Sequence, residues 1–226
     1  MSYNEIGIHP NEELMMKSIT LAGLMAVAVT ANAQLVVAND QTGNTTLYYV
    51  DVATGVATEL FTPANATNMK AWGMAANDAG QKLYWNNGNA LFTCSYDDLR
   101  NGNAAGITQV SMSYGTSTTI NFVALAYDPV NGRLLGTRNI ATESVYEIDP
   151  VTGVSTILFG HPATYDFGGL DCDPVNGDIY GLSDGGVAVR GLWRLTDTAQ
   201  TPVILGYPGT ETDIDGLAIG GGKPTM

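Results

Sequence analysis

The stretch YDPVNGRLLG at 127–136 returns as CDPVNGDIYG at 172–181, 45 residues later. A chain that writes one tight turn twice at this interval is built of repeats, and periods of 40–50 residues belong to stacked or radial architectures. Four stretches align on it: KAWGMAAND (70–78), NFVALAYDP (121–129), DFGGLDCDP (166–174) and DIDGLAIGG (213–221). Met74, Leu125, Leu170 and Leu217 share a column, at spacings of 51, 45 and 47. Gly73, Ala124, Gly169 and Gly216 fill the column before it. Small residues there let one strand lie close to the next.

Each aligned strand runs into a turn, NDAGQ (77–81), DPVNG (128–132) or DPVNG (173–177). Asp and Asn bond nearby backbone, Pro presets φ and Gly accepts positive φ, so these are hairpin turns. Second strands follow at 82–87, 133–138 and 178–183, third strands at 90–96, 144–149 and 191–196, and fourth strands at 107–112, 154–159 and 201–206. DVATG (51–55) and DPVTG (149–153) join third strands to fourth ones. Four short antiparallel strands per repeat make one blade of a β-propeller. The expected fold is therefore all-β. A sandwich does not require so regular a period.

The two ends of the repeat array complement each other. Residues 35–62 supply a second, third and fourth strand without a first, and 213–223 supply a first strand and its turn. Joined, they make a fourth blade and leave no open edge. The alternative is a fragment of a larger ring. Both readings stand at the level of sequence.

The segment GMAANDAGQKLYWNNGNALFTCSYDDL (73–99) resembles the YWTD repeat of low-density-lipoprotein-receptor-type propellers. Gly73, Lys82, Leu83, Tyr84 and Trp85 stand where that repeat has its Gly and its K-L-Y-W, while Asn86 and Asn87 replace Thr-Asp. The other blades have RLLGTR and DIYGLS instead, so the match covers one repeat well. The whole chain also resembles exported bacterial propellers whose blades read G-L-A-x-D-P-x-N-G-x-L-Y-G. These resemblances imply a propeller that binds other molecules. The YWTD class implies protein ligands and no catalysis, but fold alone does not fix function.

The first 33 residues read differently. MMKSITLAGLMAVAVTANAQ (15–34) has Lys17, an apolar run at 19–29, and Ala31-Asn32-Ala33. That is the order of a secretory signal peptide, with the working start at Met15 or Met16 and cleavage near Ala33. The expected organisation is an extension and signal peptide at 1–33 and a propeller at 34–226, exported to the periplasm, cell surface or medium. The apolar run is too short for a comfortable membrane span, and no later stretch is apolar enough for one. Cys94 and Cys172 fall on different repeats and are expected as free buried thiols.

Charge narrows the partners. With 22 Asp+Glu against 9 Lys+Arg the formal net charge is −13, which excludes nucleic acid as a partner and suits cations or basic surfaces. Sequence motifs for nucleophilic, zinc or phosphate chemistry are missing. His161, in FGHPAT, reads as a solvated loop residue, and no residue is assigned a catalytic role.

The best candidate site is the mouth of the central channel, where the aligned strands begin. Lys70, Asn121, Asp166 and Asp213 occupy that column, and Asp215 shares a strand face with Asp213. Asp166, Asp213 and Asp215 are candidate ligands for a hard cation such as Ca2+. Their alternative role is to face channel water, with Lys70 as partner. Tyr165 and Tyr207, in the links between blades, join Lys70, Asn121 and Asp166 as candidate contacts for a protein or carbohydrate ligand. Tyr48, Trp72 and Trp193 are the other aromatics suited to stacking, although packing between blades is the commoner role for such positions. An exported metal-assisted hydrolase or lyase built on the same carboxylates is the alternative to a non-catalytic binding module.

Overall fold

The computed structural model describes residues 34–38, 47–61, 71–117, 120–140, 143–162, 164–206 and 216–219. They form four antiparallel meanders. The first sheet has three strands, β1 (Gln34–Ala38), β2 (Leu47–Asp51) and β3 (Ala57–Phe61). The second has β4 (Gly73–Asn77), β5 (Lys82–Asn86), β6 (Ala90–Ser95) and β7 (Thr108–Ser111). The third has β8 (Phe122–Asp128), β9 (Arg133–Arg138), β10 (Ser144–Ile148) and β11 (Ser155–Gly160). The fourth has β12 (Phe167–Cys172), β13 (Ile179–Ser183), β14 (Gly191–Leu195) and β15 (Gln200–Leu205). The sheets are the four blades of a β-propeller, as the repeat predicts.

Alternation along each strand feeds two cores. On β9, Leu134 joins the layer between the second and third sheets, and its neighbour Leu135 joins the layer between the third and fourth. Leu125 on β8 turns to the first layer, while Ala124 and Ala126 turn to the second. A third layer, with Leu47, Leu83, Trp85, Phe92 and Leu99, fills the space between the first and second sheets. Period-two side-chain geometry thus makes each inner blade buried on both faces. This explains why strands such as RLLGTR carry little exposed surface.

The small-residue column sits where the first strands of neighbouring sheets meet. A Cβ on Gly73 would lie 2.5 Å from the Val123 carbonyl oxygen and 2.7 Å from the Leu125 nitrogen. A Cβ on Gly169 would lie 3.1 Å from the Gly216 carbonyl carbon. The C-terminal segment is held there by the Ile219 N–H, which donates to Asp171 Oδ2 at 2.6 Å. Residues 216–219 form no strand, and 207–215 and 220–226 lie outside the described residues. So do residues 1–33, on which the expected extension and signal peptide fall.

The repeated turns share one geometry. Asp51, Asp128, Asp149 and Asp173 each accept at Oδ1 from the backbone N–H two residues on, at 2.8, 3.1, 2.8 and 2.8 Å. Gly55, Gly132, Gly153 and Gly177 close the turns with φ of 71°, 67°, 74° and 75°. The NDAGQ turn puts Gln81 at φ 51° instead. A side chain in that left-handed region costs about 1 kcal/mol. Gln81→Gly is therefore expected to raise the melting temperature by about 2 °C, read by circular dichroism.

One short helix interrupts the strand pattern. The third strand of the second sheet ends at Ser95, not at 96, and α1 (Tyr96–Arg100) follows. Ser95 Oγ accepts from the Asp98 N–H at 3.0 Å and donates to Asp98 Oδ2 at 2.6 Å, which caps the helix start. Cys94 and Cys172 are free and buried, in different layers. Burial pushes both thiols up to about 12, so neither is a nucleophile at neutral pH.

Candidate functional site at one end of the third and fourth sheets

A cleft of about 540 Å³ opens at the strand ends opposite the repeated turns. Asn139, Ile140 and Glu143 reach it from the loop between β9 and β10. Thr164, Tyr165 and Asp166 reach it from the link into β12, and Gly185 and Gly186 from the loop after β13. Of the residues singled out in the sequence, Tyr165 and Asp166 line this cleft together. Asn121 does not line the cleft. It adopts φ 51°, donates from Nδ2 to the Asn139 carbonyl at 2.7 Å, and shapes the wall from behind. Lys70, Tyr207, Asp213 and Asp215 lie outside the described residues, and their part in the site is untouched by this geometry.

Tyr165 is held rigidly. Its ring stacks on Phe167 at 5.3 Å and meets Trp193 edge-on at 5.0 Å. Trp193 is itself fixed, donating from Nε1 to the Val189 carbonyl at 2.7 Å. Trp193 is therefore a packing residue, whereas Trp72 is exposed, lies against Gly88 and takes no part in the cleft. Asp166 is anchored through its backbone: its N–H donates to Ser183 Oγ at 3.3 Å, and its carbonyl accepts from the Asp184 N–H at 3.1 Å. Gly185 is required because a Cβ there would sit 2.6 Å from the Thr164 carbonyl oxygen.

Glu143 is the residue that sequence reading missed. It is only 4% exposed although it lines the cleft. Its Oε2 accepts from the Phe167 N–H at 3.3 Å. Burial pushes its carboxyl up to about 8, against that hydrogen bond, and the charges of Asp166 and Asp184 push the same way. At neutral pH Glu143 is thus mainly protonated and can donate a hydrogen bond, while ionised carboxylates accept.

His161 corrects the expectation of a solvated loop residue. It is 7% exposed and packs edge-on against Phe167 at 4.8 Å. The link that looks polar in sequence folds its imidazole against Phe167 at the start of β12. Burial pulls the ring down to about 4, so it is neutral in the native state.

These two groups bound the stability from both sides. Glu143 titrates near 4.5 when unfolded and near 8 when folded, so its contribution is full below about 4.5 and is lost as pH rises towards 8. His161 titrates near 6.5 when unfolded and near 4 when folded, so its contribution is full above 6.5 and is lost as pH falls towards 4. Stability is expected to fall by about 2 kcal/mol between pH 6.5 and 8.5, and Glu143→Gln should flatten that limb alone. Urea midpoints measured across this range check it, and an unchanged slope in the variant would show that another group titrates there.

Among the described residues no group of three or more His, Cys, Asp or Glu is arranged to hold a metal ion. No helix among them is long and apolar enough to cross a membrane.

No protein-family model and no curated protein matches this sequence. Its fold does match solved structures. A protein of unknown function from Bacteroides thetaiotaomicron aligns at TM-score 0.51 and 19% identity, over 72% of this chain and 42% of that one. An engineered GH43 glycoside hydrolase with endo-xylanase and exo-arabinofuranosidase activity aligns at TM-score 0.50 and 9% identity, over 82% of this chain and 42% of the enzyme. A chain of the nidogen–laminin complex aligns at TM-score 0.48 and 15% identity, over 72% and 57%. This chain therefore spans little more than half, or less, of each of those proteins, and at such identities the two likenesses at TM-scores of 0.51 and 0.50 bear on the fold alone.

Proposed function

We propose that this protein is an exported, non-catalytic binding propeller that takes a protein or glycan ligand in the cleft at its channel mouth. The observation that carries this reading is the cleft itself: Tyr165 is a rigid aromatic wall, Asp166 is an acceptor, and buried Glu143 is a donor, all on loops held by three packed layers. Aromatic anchors with few rotamers and convergent polar groups are the usual makings of a binding site. The strongly acidic chain favours ligand surfaces that are neutral or basic. The segment at 15–34, read as an export signal, supports extracellular or periplasmic ligands.

A cation belongs to the same reading. Asp213 shares the alignment column of Asp166 and Asp215 lies two residues on, and together the three would offer oxygen ligands suited to Ca2+. The purified protein is expected to melt higher with calcium than with chelator, because a ligand bound only to the native state raises its stability. Asp166→Asn should remove that rise. A melt indifferent to calcium would leave the mouth as a cleft for organic ligands only.

The binding reading is tested on arrays of extracellular proteins and glycans. Tyr165→Ala should weaken whatever the wild type retains by about tenfold or more. Equal retention by the variant would sink the assignment of this cleft. The Glu143 and Asp166 pair also favours a second reading, an exported metal-assisted hydrolase or lyase, since carboxyls held in unlike environments can serve as acid and base. Turnover lost in Glu143→Gln with binding retained would establish it.

A further inference from the structure

A second cleft, of about 420 Å³, lies at the other end of the strands, between the second and third sheets. Tyr84 and Tyr127 form one wall, their rings stacked at 6.3 Å and 18°. Arg133, Glu147 and Thr156 supply the polar groups, and Leu134, Ile148 and Pro150 complete the lining. Because β9 runs from Arg133 at this end to Asn139 at the mouth, the two clefts sit at opposite ends of the same strands.

The polar groups are built in. Arg133 donates from Nε to Asp128 Oδ2 at 2.9 Å, and Asp128 is buried. Asp128 in turn accepts from the Val130 and Asn131 N–H groups and from Asn131 Nδ2. Its acceptors are thus spent within the turn. Asp149, also at the cleft, is spent on the Val151 and Thr152 N–H groups and on Thr152 Oγ1. What remains for a ligand is the rest of the Arg133 guanidinium and the Glu147 carboxylate, with Nη1 and Oε2 3.9 Å apart. One cation and one anion side by side offer donors and acceptors with no net charge between them. A phosphate or carboxylate ligand would meet Glu147 as well as Arg133, within a chain of net charge −13. A neutral polyol meets both groups with matching hydroxyls and lays its C–H face on the half-buried Tyr127 ring.

We propose that the cleft formed by Tyr84, Tyr127, Arg133 and Glu147 is a binding site for one or two rings of a neutral glycan, separate from the channel mouth. Arg133 directly follows the repeated DPVNG turn and is fixed from behind by the turn's own Asp128. The corresponding Asp178 of the next repeat bonds Arg194 instead, at 2.7 Å.

The test is saturation-transfer NMR and calorimetry on the whole protein with cellotetraose, xylotetraose and mannotetraose, beside tetragalacturonate as the acidic counterpart. At least one neutral tetrasaccharide is expected to bind, and tetragalacturonate to bind more weakly. Tyr127→Ala and Glu147→Ala should each weaken binding by about tenfold or more. Glu147 is half exposed on the outer part of β10, so its variant keeps the fold and remains informative if Tyr127→Ala does not. No transfer from any neutral tetrasaccharide, tighter binding of tetragalacturonate, or full binding by Glu147→Ala would overturn the inference. A loss caused by Tyr165→Ala instead would place the sugar at the mouth, overturning this site while supporting the other.

Discussion

Gly73→Ala is expected to cost about 3 kcal/mol and to lower the melting temperature by about 10 °C. The added methyl would sit 2.5 Å from the Val123 carbonyl oxygen, 2.7 Å from the Leu125 nitrogen and 2.9 Å from the Ala124 carbonyl carbon. All three are backbone atoms of β8, so no side chain can turn aside. Either β4 or β8 must move, and each is locked into its own sheet by ladder hydrogen bonds. Overpacking that can be relieved only by moving backbone sits at the costly end of such changes. Gly160→Ala is the control. A Cβ there meets only Ser144 Oγ, at 3.6 Å, and should leave stability within about 0.5 kcal/mol. If Gly73→Ala melted with the wild type, the first strands of the second and third sheets would not approach as closely as this structure has them.

The same residue shows what was legible in the chain. Gly73, Ala124, Gly169 and Gly216 can be aligned because the repeat forces the same close approach at each blade, and a steric demand that recurs leaves a column in the sequence. The Asp-to-Gly turns are legible for another reason: their geometry is local, set within five residues by one carboxylate and one positive φ. Glu143 and His161 obey neither rule. They lie in the irregular links, where no period runs, and their neighbours come from other strands. Nothing within ten residues of Glu143 announces that Phe167 and Asp166 will close over it. His161 looked solvated because it lies in a connection between blades, yet the aromatic cluster of Tyr165 and Phe167 receives its ring. The helix α1 did carry a signal, Ser95 followed three residues later by Asp98, but the strand rhythm around it hid the cap.

Trp85 tests how far a resemblance reaches into energetics. It is the residue that most marks the second blade as YWTD-like, and it is 1% exposed, stacked on Phe92 at 5.5 Å. It fills the layer between the first two sheets beside Leu47, Leu83 and Leu99. Trp85→Ala is therefore expected to cost about 3–5 kcal/mol, since the cavity lies between two sheets that cannot both collapse onto it. Trp85→Phe should cost much less than half of that. The indole Nε1 is buried with no hydrogen-bond partner among the described residues, so the native state carries its desolvation penalty uncompensated. Phenylalanine keeps most of the ring contact with Phe92 and removes the stranded N–H, and the two effects offset. Urea unfolding followed by far-UV circular dichroism gives both values on one scale. A wide gap between the two variants means that this tryptophan serves volume and stacking, and that the blade needs an aromatic slab here and no indole donor. Equal losses would mean that the N–H is paired, and that the first sheet or its neighbouring chain supplies an acceptor to it.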